Sequence, residues 1–305
     1  MQLSLPLLHS HIVTSVLLVV FSTITQTRAG NYFHGVTAAN SAPNSDAYRC
    51  RSQEEWNNLA NTAKSNGFSS IRILGFDCNA LDFASSAAAG AGISVLAGIY
   101  FSGSVADSMT QINNEVGMFV EALGKYGADR YNGLTIGNEA TGDPGQIAAK
   151  VADVRGYLRS IGVGTPVSTV HTWVAVRDNP QAFCIGDFVG ANAHAFFDQN
   201  VVSNGAGGFV YDIVIPSLRT ACPGKPIMIT ESGWPSRGAA MGRAQASPDD
   251  QYEAMKSLNC AAKGDSSIAV YAFEADDQVW KGNDNERSFG LFGKVRFEGD
   301  INNAC

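Results

Sequence analysis

Eight short runs of apolar and β-branched residues, each bounded by Gly, Asn or Pro, constrain the fold of this chain more than any other feature. They begin at positions 33, 69, 93, 132, 165, 185, 226 and 268. Runs of this length and composition predict β-strands. They are continuously apolar, which is typical of parallel strands that are covered on both faces.

Helical patterns fill most of the intervals between these runs. Segments 51–66 and 108–126 each place apolar side chains on one helical face. Asp143 and Ser247, each followed by Pro, predict the N-caps of two further helices. The interval between the fifth and sixth runs leaves room for only a short helix, and the chain after the eighth run is irregular. The apolar face of segment 108–126 consists of Ile112, Val116, Phe119, Val120 and Leu123.

Strands that alternate with helices build a parallel sheet. Eight such units over residues 30–305 predict one α/β domain, a single (β/α)8 TIM barrel. An open, doubly wound sheet is the alternative. No G-x-G-x-x-G pattern follows the first run, so a dinucleotide-binding fold is not indicated.

The first 29 residues predict a secretory signal peptide rather than part of the fold. Residues 15–21 form an apolar core, and the small residues around Ala29 offer a cleavage site, although the preceding segment carries no Lys or Arg. We therefore expect a secreted protein, extracellular or in the cell wall. No second apolar run predicts a membrane span.

Six cysteines, none in a C-x-x-C pair, predict three disulfides and no metal site. Fifteen pairings are open, and near partners favour Cys50–Cys78, Cys184–Cys222 and Cys260–Cys305. Charged residues make up only 16% of the chain, and its net charge is −7. This composition argues against a nucleic acid or an anionic membrane as partner, and it suits a neutral substrate. We expect a monomer without a cofactor.

Two carboxylates end predicted strands and carry the proposed chemistry. Glu139 follows the fourth strand in "TIGNEATG", and Glu231 ends the seventh in "PIMITESGWPS", 92 positions later. Three β/α units of about 34 residues give that separation, and the C-terminal ends of barrel strands form the active site. Two acids across a barrel mouth suit glycoside hydrolysis. Trp234 offers a face on which a sugar ring stacks, and Pro235 stops the strand.

Further polar and aromatic residues near the strand ends are candidates for substrate binding. We expect Arg72 to point into the top of the barrel and hold a carboxylate, with a purely structural ion pair as the alternative. The other candidates could equally serve packing or hydrogen bonding within the rim. They are Asn138, Asp77, Tyr100, Trp173, Asn192, His194, Glu274 and Lys281.

The motifs "IGNE" and "TESGWPS" together resemble glycoside hydrolase family 17, the β-1,3-glucanases. The segments "DCNALDF", "DFVGANAHAFF" and "FEADDQVWK…ERSFGLF" resemble its fungal cell-wall branch, which includes glucanosyltransferases. The resemblance implies that Glu139 is the general acid/base, that Glu231 is the nucleophile, and that Asn138 contacts the sugar. It also implies retention of configuration, with carboxyl groups ~5–5.5 Å apart.

One departure from the branch pattern "FEAFDE-x-WK" stands after the eighth strand. Asp276 replaces Phe and Gln278 replaces the second acid, whereas Lys281 is kept. The departure bears on pH optimum and subsite preference. The sequence therefore predicts a retaining β-1,3-glucanase. A glucanosyltransferase, a hydrolase for another β-glucan and a non-catalytic glucan-binding wall protein are the alternatives.

Overall fold

The computed structural model describes residues 30–297 together with Ile301, Ala304 and Cys305, so the predicted signal peptide lies outside the described residues. Eight parallel strands close into a barrel in chain order, and β1 pairs with β8. The predicted (β/α)8 barrel is thus confirmed. The strands are β1 Gly35–Ala38, β2 Ser70–Ile73, β3 Ser94–Ile99, β4 Tyr131–Asn138, β5 Val167–Thr172, β6 Val189–Asn192, β7 Ile227–Ser232 and β8 Ala269–Ala272.

Helices surround the barrel in the order that the sequence pattern predicts. Only two short helices stand between β5 and β6, as the short interval there requires, and the π-helix Phe209–Val214 joins α7 to α8. The helices are α1 Gln53–Ser65, α2 Ala80–Ala91, α3 Met109–Tyr126, α4 Pro144–Ser160, α5 Trp173–Asp178, α6 Pro180–Phe183, α7 Ala206–Gly208, α8 Ile215–Ala221 and α9 Pro248–Gly264.

Local sequence signals account for the helix boundaries. Asp143 accepts a hydrogen bond from the backbone of Gln146, and Ser247 accepts one from the backbone of Asp250, which confirms both predicted N-caps. Each cap satisfies a backbone N–H that has no partner inside the helix. In α3 four of the five predicted apolar residues are buried, and only Val120 stays partly exposed.

The main core lies between the barrel and its helices, because each strand turns apolar side chains outward onto a helix. Leu96, Phe188 and Tyr271 pack in a separate small cluster. Asn132 donates from its amide to Ser70 and Ser94 near the N-terminal ends of the strands.

Three disulfides join Cys50 to Cys78, Cys184 to Cys222 and Cys260 to Cys305, which confirms the predicted pairing. They cross-link segments that are distant in sequence, and a link of this kind restricts the unfolded chain. None of the helices between residues 30 and 297 combines the length and the apolar content that crossing a lipid bilayer requires.

Candidate active site

Strand β4 delivers its carboxylate through an unusual backbone turn. Gly137 has a φ of 85° and Glu139 a φ of 51°, so the chain enters the left-handed region twice within three residues. A non-Gly residue rarely adopts this conformation, and surrounding contacts must hold it there. The backbone N–H of Glu139 donates to the carbonyl of Val170 in β5 at 2.8 Å, which ties the turn to the next strand.

Strand β7 places Glu231 deep in the mouth of the barrel, against a cation from the opposite side. The guanidinium of Arg72 in β2 contacts Glu231 Oε1 at 2.5 Å, and both side chains are buried. Oε2 of Glu231 lies 3.2 Å from Nε2 of His194. Burial alone would raise the pKa of Glu231, but the charge of Arg72 and the hydrogen bond with His194 outweigh it and lower that pKa to about 2. Glu231 is therefore an ionised carboxylate.

Glu139 has the opposite protonation tendency. Its Oε1 accepts a hydrogen bond from Asn192 Nδ2 at 2.8 Å. Burial raises the pKa of Glu139, and the negative charge of Glu231 raises it further, while the Asn192 hydrogen bond counteracts part of this effect. Two carboxyl groups whose environments separate their pKa values are suited to different roles, one as an acid and one as an anion.

Asn138 connects the two carboxylate environments. Its Oδ1 accepts from Arg72 Nη2 at 2.8 Å and lies 3.3 Å from Asn192 Nδ2. Arg72 thus bridges Glu231 and Asn138, and Asn192 bridges Asn138 and Glu139. The expectation that Arg72 points into the top of the barrel and holds a carboxylate agrees with this geometry.

Both carboxylates open into one cleft of about 450 Å³. Three predicted binding residues, Trp173, Asn192 and His194, also line it. The other residues that line the cleft were not predicted from the sequence, although Phe273 and Phe289 lie in the segment that resembles the fungal branch of the family. These further lining residues are Thr172, Val174, Phe197, Asp198, Phe209, Phe273, Glu286 and Phe289.

The buried Glu274 forms an ion pair with the partly exposed Lys281 beside the cleft. The Lys281 ammonium lies 3.0 Å from Glu274 Oε1 and 5.2 Å from the ring centre of Phe273, which lines the cleft. Burial raises the pKa of Glu274 to about 7, although the charge of Lys281 opposes this shift. Neither member of the pair is among the side chains that line the cleft.

Asp77 and Tyr100 do not line the cleft, although both are exposed at the same end of the barrel. The prediction that Trp234 stacks on a sugar is wrong in this structure. Trp234 is fully buried, packs edge-to-face against Phe196, and donates from Nε1 to the carbonyl of Gln245 at 2.7 Å. The chain turns at Pro235 such that the indole packs into the core.

The chemistry that this site supports is acid–base and nucleophilic. Within residues 30–297, no group of three or more His, Cys, Asp or Glu side chains is arranged to hold a metal ion. A closed (β/α)8 barrel with two carboxyl groups of opposite pKa shift in one cleft, one of them the buried Glu231, defines the class of barrel glycosidases.

The family model for the BtgE/BtgC glycoside hydrolase domain matches residues 38–291. The probable family 17 glucosidase SCW4 of Saccharomyces cerevisiae is 30% identical over 90% of this chain and 67% of its own length. The chain belongs to this family of glycoside hydrolases, within glycoside hydrolase family 17, and is an enzyme of the glycosidase class.

Other relatives are longer than this chain. The cell surface mannoprotein MP65 of Candida albicans is 32% identical over 82% of this chain, which spans 65% of that protein. The probable beta-glucosidase btgE of Aspergillus clavatus is 30% identical over 79% of this chain, which spans only 40% of that protein.

The same fold occurs among solved structures. A family 17 β-1,3-glucanosyltransferase from Rhizomucor miehei superposes with a TM-score of 0.71 at 23% identity, over 85% of this chain and 92% of that chain. An active-site mutant of the Rhizomucor miehei β-1,3-glucanosyltransferase, solved in complex with laminaritriose, has a TM-score of 0.70 at 22% identity.

Proposed function

We propose that this protein is a secreted, retaining β-1,3-glucanase in which Glu139 is the general acid/base and Glu231 is the nucleophile. The observation that carries the proposal is the opposite pKa shift of two carboxyl groups that share one cleft. The raised pKa favours the protonated form of Glu139, and the lowered pKa keeps Glu231 anionic. The family supports a glycosidic substrate, and laminaritriose in the Rhizomucor miehei protein supports a β-1,3-linked one.

In the first step, Glu139 transfers its proton to the glycosidic oxygen while a carboxylate oxygen of Glu231 attacks C1 of the sugar. The bond from C1 to the leaving oxygen breaks, and a glycosyl ester forms on Glu231. In the second step, the carboxylate of Glu139 removes a proton from water, and the water oxygen displaces Glu231 from C1. Configuration at C1 is inverted twice and therefore retained.

Arg72 and His194 contact Glu231 in ways that serve this sequence. The positive charge of Arg72 keeps Glu231 ionised for attack and stabilises it again when the ester is released. His194 contacts the other oxygen and lines the cleft. Asn192 donates a hydrogen bond to Oε1 of Glu139 and so fixes the orientation of the carboxyl group that carries the proton.

A glucanosyltransferase is the second candidate, and the aromatic side of the cleft favours it. Trp173, Phe197 and Phe209 line the same cleft as the two carboxylates, and Phe197 is exposed. Such a wall can hold a second glucan chain and keep water away from the glycosyl ester. A sugar hydroxyl would then replace water in the second step, with the same two glutamates.

The proposal is tested by incubating the protein with a reduced β-1,3-gluco-oligosaccharide and following the products by mass. Shorter products alone indicate hydrolysis, and products longer than the substrate indicate transfer. We expect Glu231→Gln to abolish both reactions, whereas Glu286→Gln, which changes another carboxylate of the cleft, retains most activity. Equal activity of wild type and Glu231→Gln would refute the assignment.

Azide distinguishes the two roles. With an activated aryl β-glucoside, Glu139→Ala should still form the glycosyl ester, which azide then attacks to give a β-glycosyl azide. With Glu231→Ala, azide should attack C1 directly and give an α-glycosyl azide. The reverse pattern would exchange the roles of the two residues.

A further inference from the structure

The loop after β8 contains two side chains that depart from the family pattern, and the structure gives both a definite use. Gln278 is buried, accepts a hydrogen bond from Trp280 Nε1 at 3.0 Å, and donates to the backbone carbonyl of Asp276 at 3.3 Å. Its amide thus acts as acceptor at one end and donor at the other. An ionised carboxylate at this position would have no proton to donate to the Asp276 carbonyl.

Asp276 ties this loop to the segment that follows β1. Its carboxylate lies 3.0 Å from the guanidinium of Arg51, which is buried and also donates to the carbonyl of Ser41. The Cys50–Cys78 disulfide closes the same segment against the end of β2. An ion pair and a disulfide therefore hold residues 41–51 in place.

The segment held in this way presents Tyr48 to Trp280. The two rings meet edge-to-face with centroids 5.0 Å apart, and Tyr48 is 47% exposed. The hydroxyl of Tyr48 donates to Asp77, whose other oxygen accepts from Asn40 Nδ2 at 2.7 Å. The result is an aromatic pair with a carboxylate at its edge.

Tyr100 extends this surface. A Cβ added at Gly75 would lie 3.0 Å from Asp77 Oδ1 and 3.2 Å from Tyr100 Cβ, so both side chains converge above that glycine. Tyr100 is 50% exposed. We name the surface the outer patch, and it consists of Tyr48, Asp77, Tyr100 and Trp280.

The outer patch continues the cleft across the mouth of the barrel. Its residues follow β1, β2, β3 and β8, whereas most cleft residues follow β4 to β7. Trp280 precedes Lys281, whose ammonium lies over the ring of Phe273 in the cleft wall. A glucan chain that crosses the mouth from the cleft therefore meets the outer patch.

We propose that the outer patch binds a glucosyl unit of the same glucan chain, away from the scissile bond, and that Gln278 is the positioning residue that orients Trp280. This inference rests on the proposed function. Aromatic side chains with a polar edge suit a pyranose, because the ring offers apolar C–H groups on its face and hydroxyl groups around its rim. Asp77 and the tyrosine hydroxyls supply the polar partners.

The test is the dependence of kcat and KM on substrate length, measured with reduced β-1,3-gluco-oligosaccharides. Trp280→Ala should raise KM about fivefold to tenfold for long oligosaccharides. It should leave kcat/KM unchanged for the shortest oligosaccharide that is cleaved. Tyr157→Ala is the matched control, since Tyr157 is 46% exposed but lies near the C-terminal end of α4, away from the mouth.

The role of Gln278 has its own readout. Gln278→Leu should reproduce the effect of Trp280→Ala on long substrates. Gln278→Glu should retain long-substrate affinity at low pH, where a protonated carboxyl group can both accept from Trp280 and donate to Asp276. It should lose this affinity at higher pH, where the carboxylate faces the Asp276 carbonyl. Affinity of Gln278→Glu that is independent of pH would overturn the positioning role.

An effect of Trp280→Ala that is equal for short and long substrates, or no effect, would overturn the binding role. Calorimetric titration of the same oligosaccharides keeps this result separate from the proposed function. If the wild type cleaves none of them, the proposed function fails. Unequal binding by wild type and Trp280→Ala would then still support the outer patch, and equal binding would overturn it.

Discussion

Replacing Arg72 by Met removes the cation that keeps Glu231 ionised. The ordinary pKa of a glutamate is 4.5, and in the folded protein that of Glu231 is about 2. A difference of about 2.5 units corresponds to about 3 kcal/mol. Since the folded pKa is the lower one, this stabilisation is present above pH 4.5 and is lost as the pH falls through about 2.

Without Arg72, only the contacts with His194 oppose the effect of burial, so the pKa of Glu231 should rise. We therefore expect Arg72→Met to unfold more easily at pH 7, by about 3 kcal/mol, which agrees with the usual cost of breaking a buried ion pair. Its kcat/KM should also fall below about pH 5, because a protonated Glu231 cannot attack C1. The wild type should show no such loss until much lower pH.

The measurements are urea denaturation at pH 7 and kcat/KM from pH 3 to pH 8. Arg51→Met is the matched control, because Arg51 is also a buried arginine in an ion pair, but its partner is Asp276. It should lose stability without a change in the acid limb of the pH profile. The reasoning is refuted if folded Arg72→Met keeps the acid limb of the wild type.

Three further predictions concern separate parts of the structure. Asn192→Ala removes the hydrogen bond that lowers the pKa of Glu139, so the basic limb of kcat/KM should move to higher pH in a pH–rate profile; a shift to lower pH would contradict this. Ser52→Ala removes the N-cap of α1 and should cost about 1 kcal/mol in urea denaturation; an unchanged midpoint would contradict it. Gly98→Ala places a Cβ 2.8 Å from the carbonyl oxygen of Ile73, and the neighbouring backbone cannot move freely. The free energy of unfolding should therefore fall by about 1–3 kcal/mol in urea denaturation. Wild-type stability would contradict this prediction.

The names of the relatives and the disulfides are consistent with secretion of this enzyme. MP65 is named as a cell surface protein, and three disulfides suit an oxidising compartment. The relatives extend beyond the region that they share with this chain, and the family model matches residues 38–291, which include all eight barrel strands but the start of β1. The signal peptide and the secretion of this protein remain predictions.

The sequence alone determined the order of strands and helices and the two strand ends that carry carboxylates. Hydrophobic periodicity and caps are local, so α3, α4 and α9 could be predicted within a few residues. The barrel rule then places the ends of β4 and β7 at one mouth. Glu139 and Glu231 were found in this way, before any contact between distant residues was known.

Only the tertiary structure decided which side chains meet at that mouth. Arg72 and Glu231 are 159 positions apart, and no local pattern couples them. Trp234 was expected in the cleft, but packing against Phe196 makes it a core residue. Tyr48 carries no sequence signal, because its exposed ring gains its partner only when the loops after β1 and β8 meet. Periodicity reports which face of an element is buried, whereas a binding surface depends on the distances between elements.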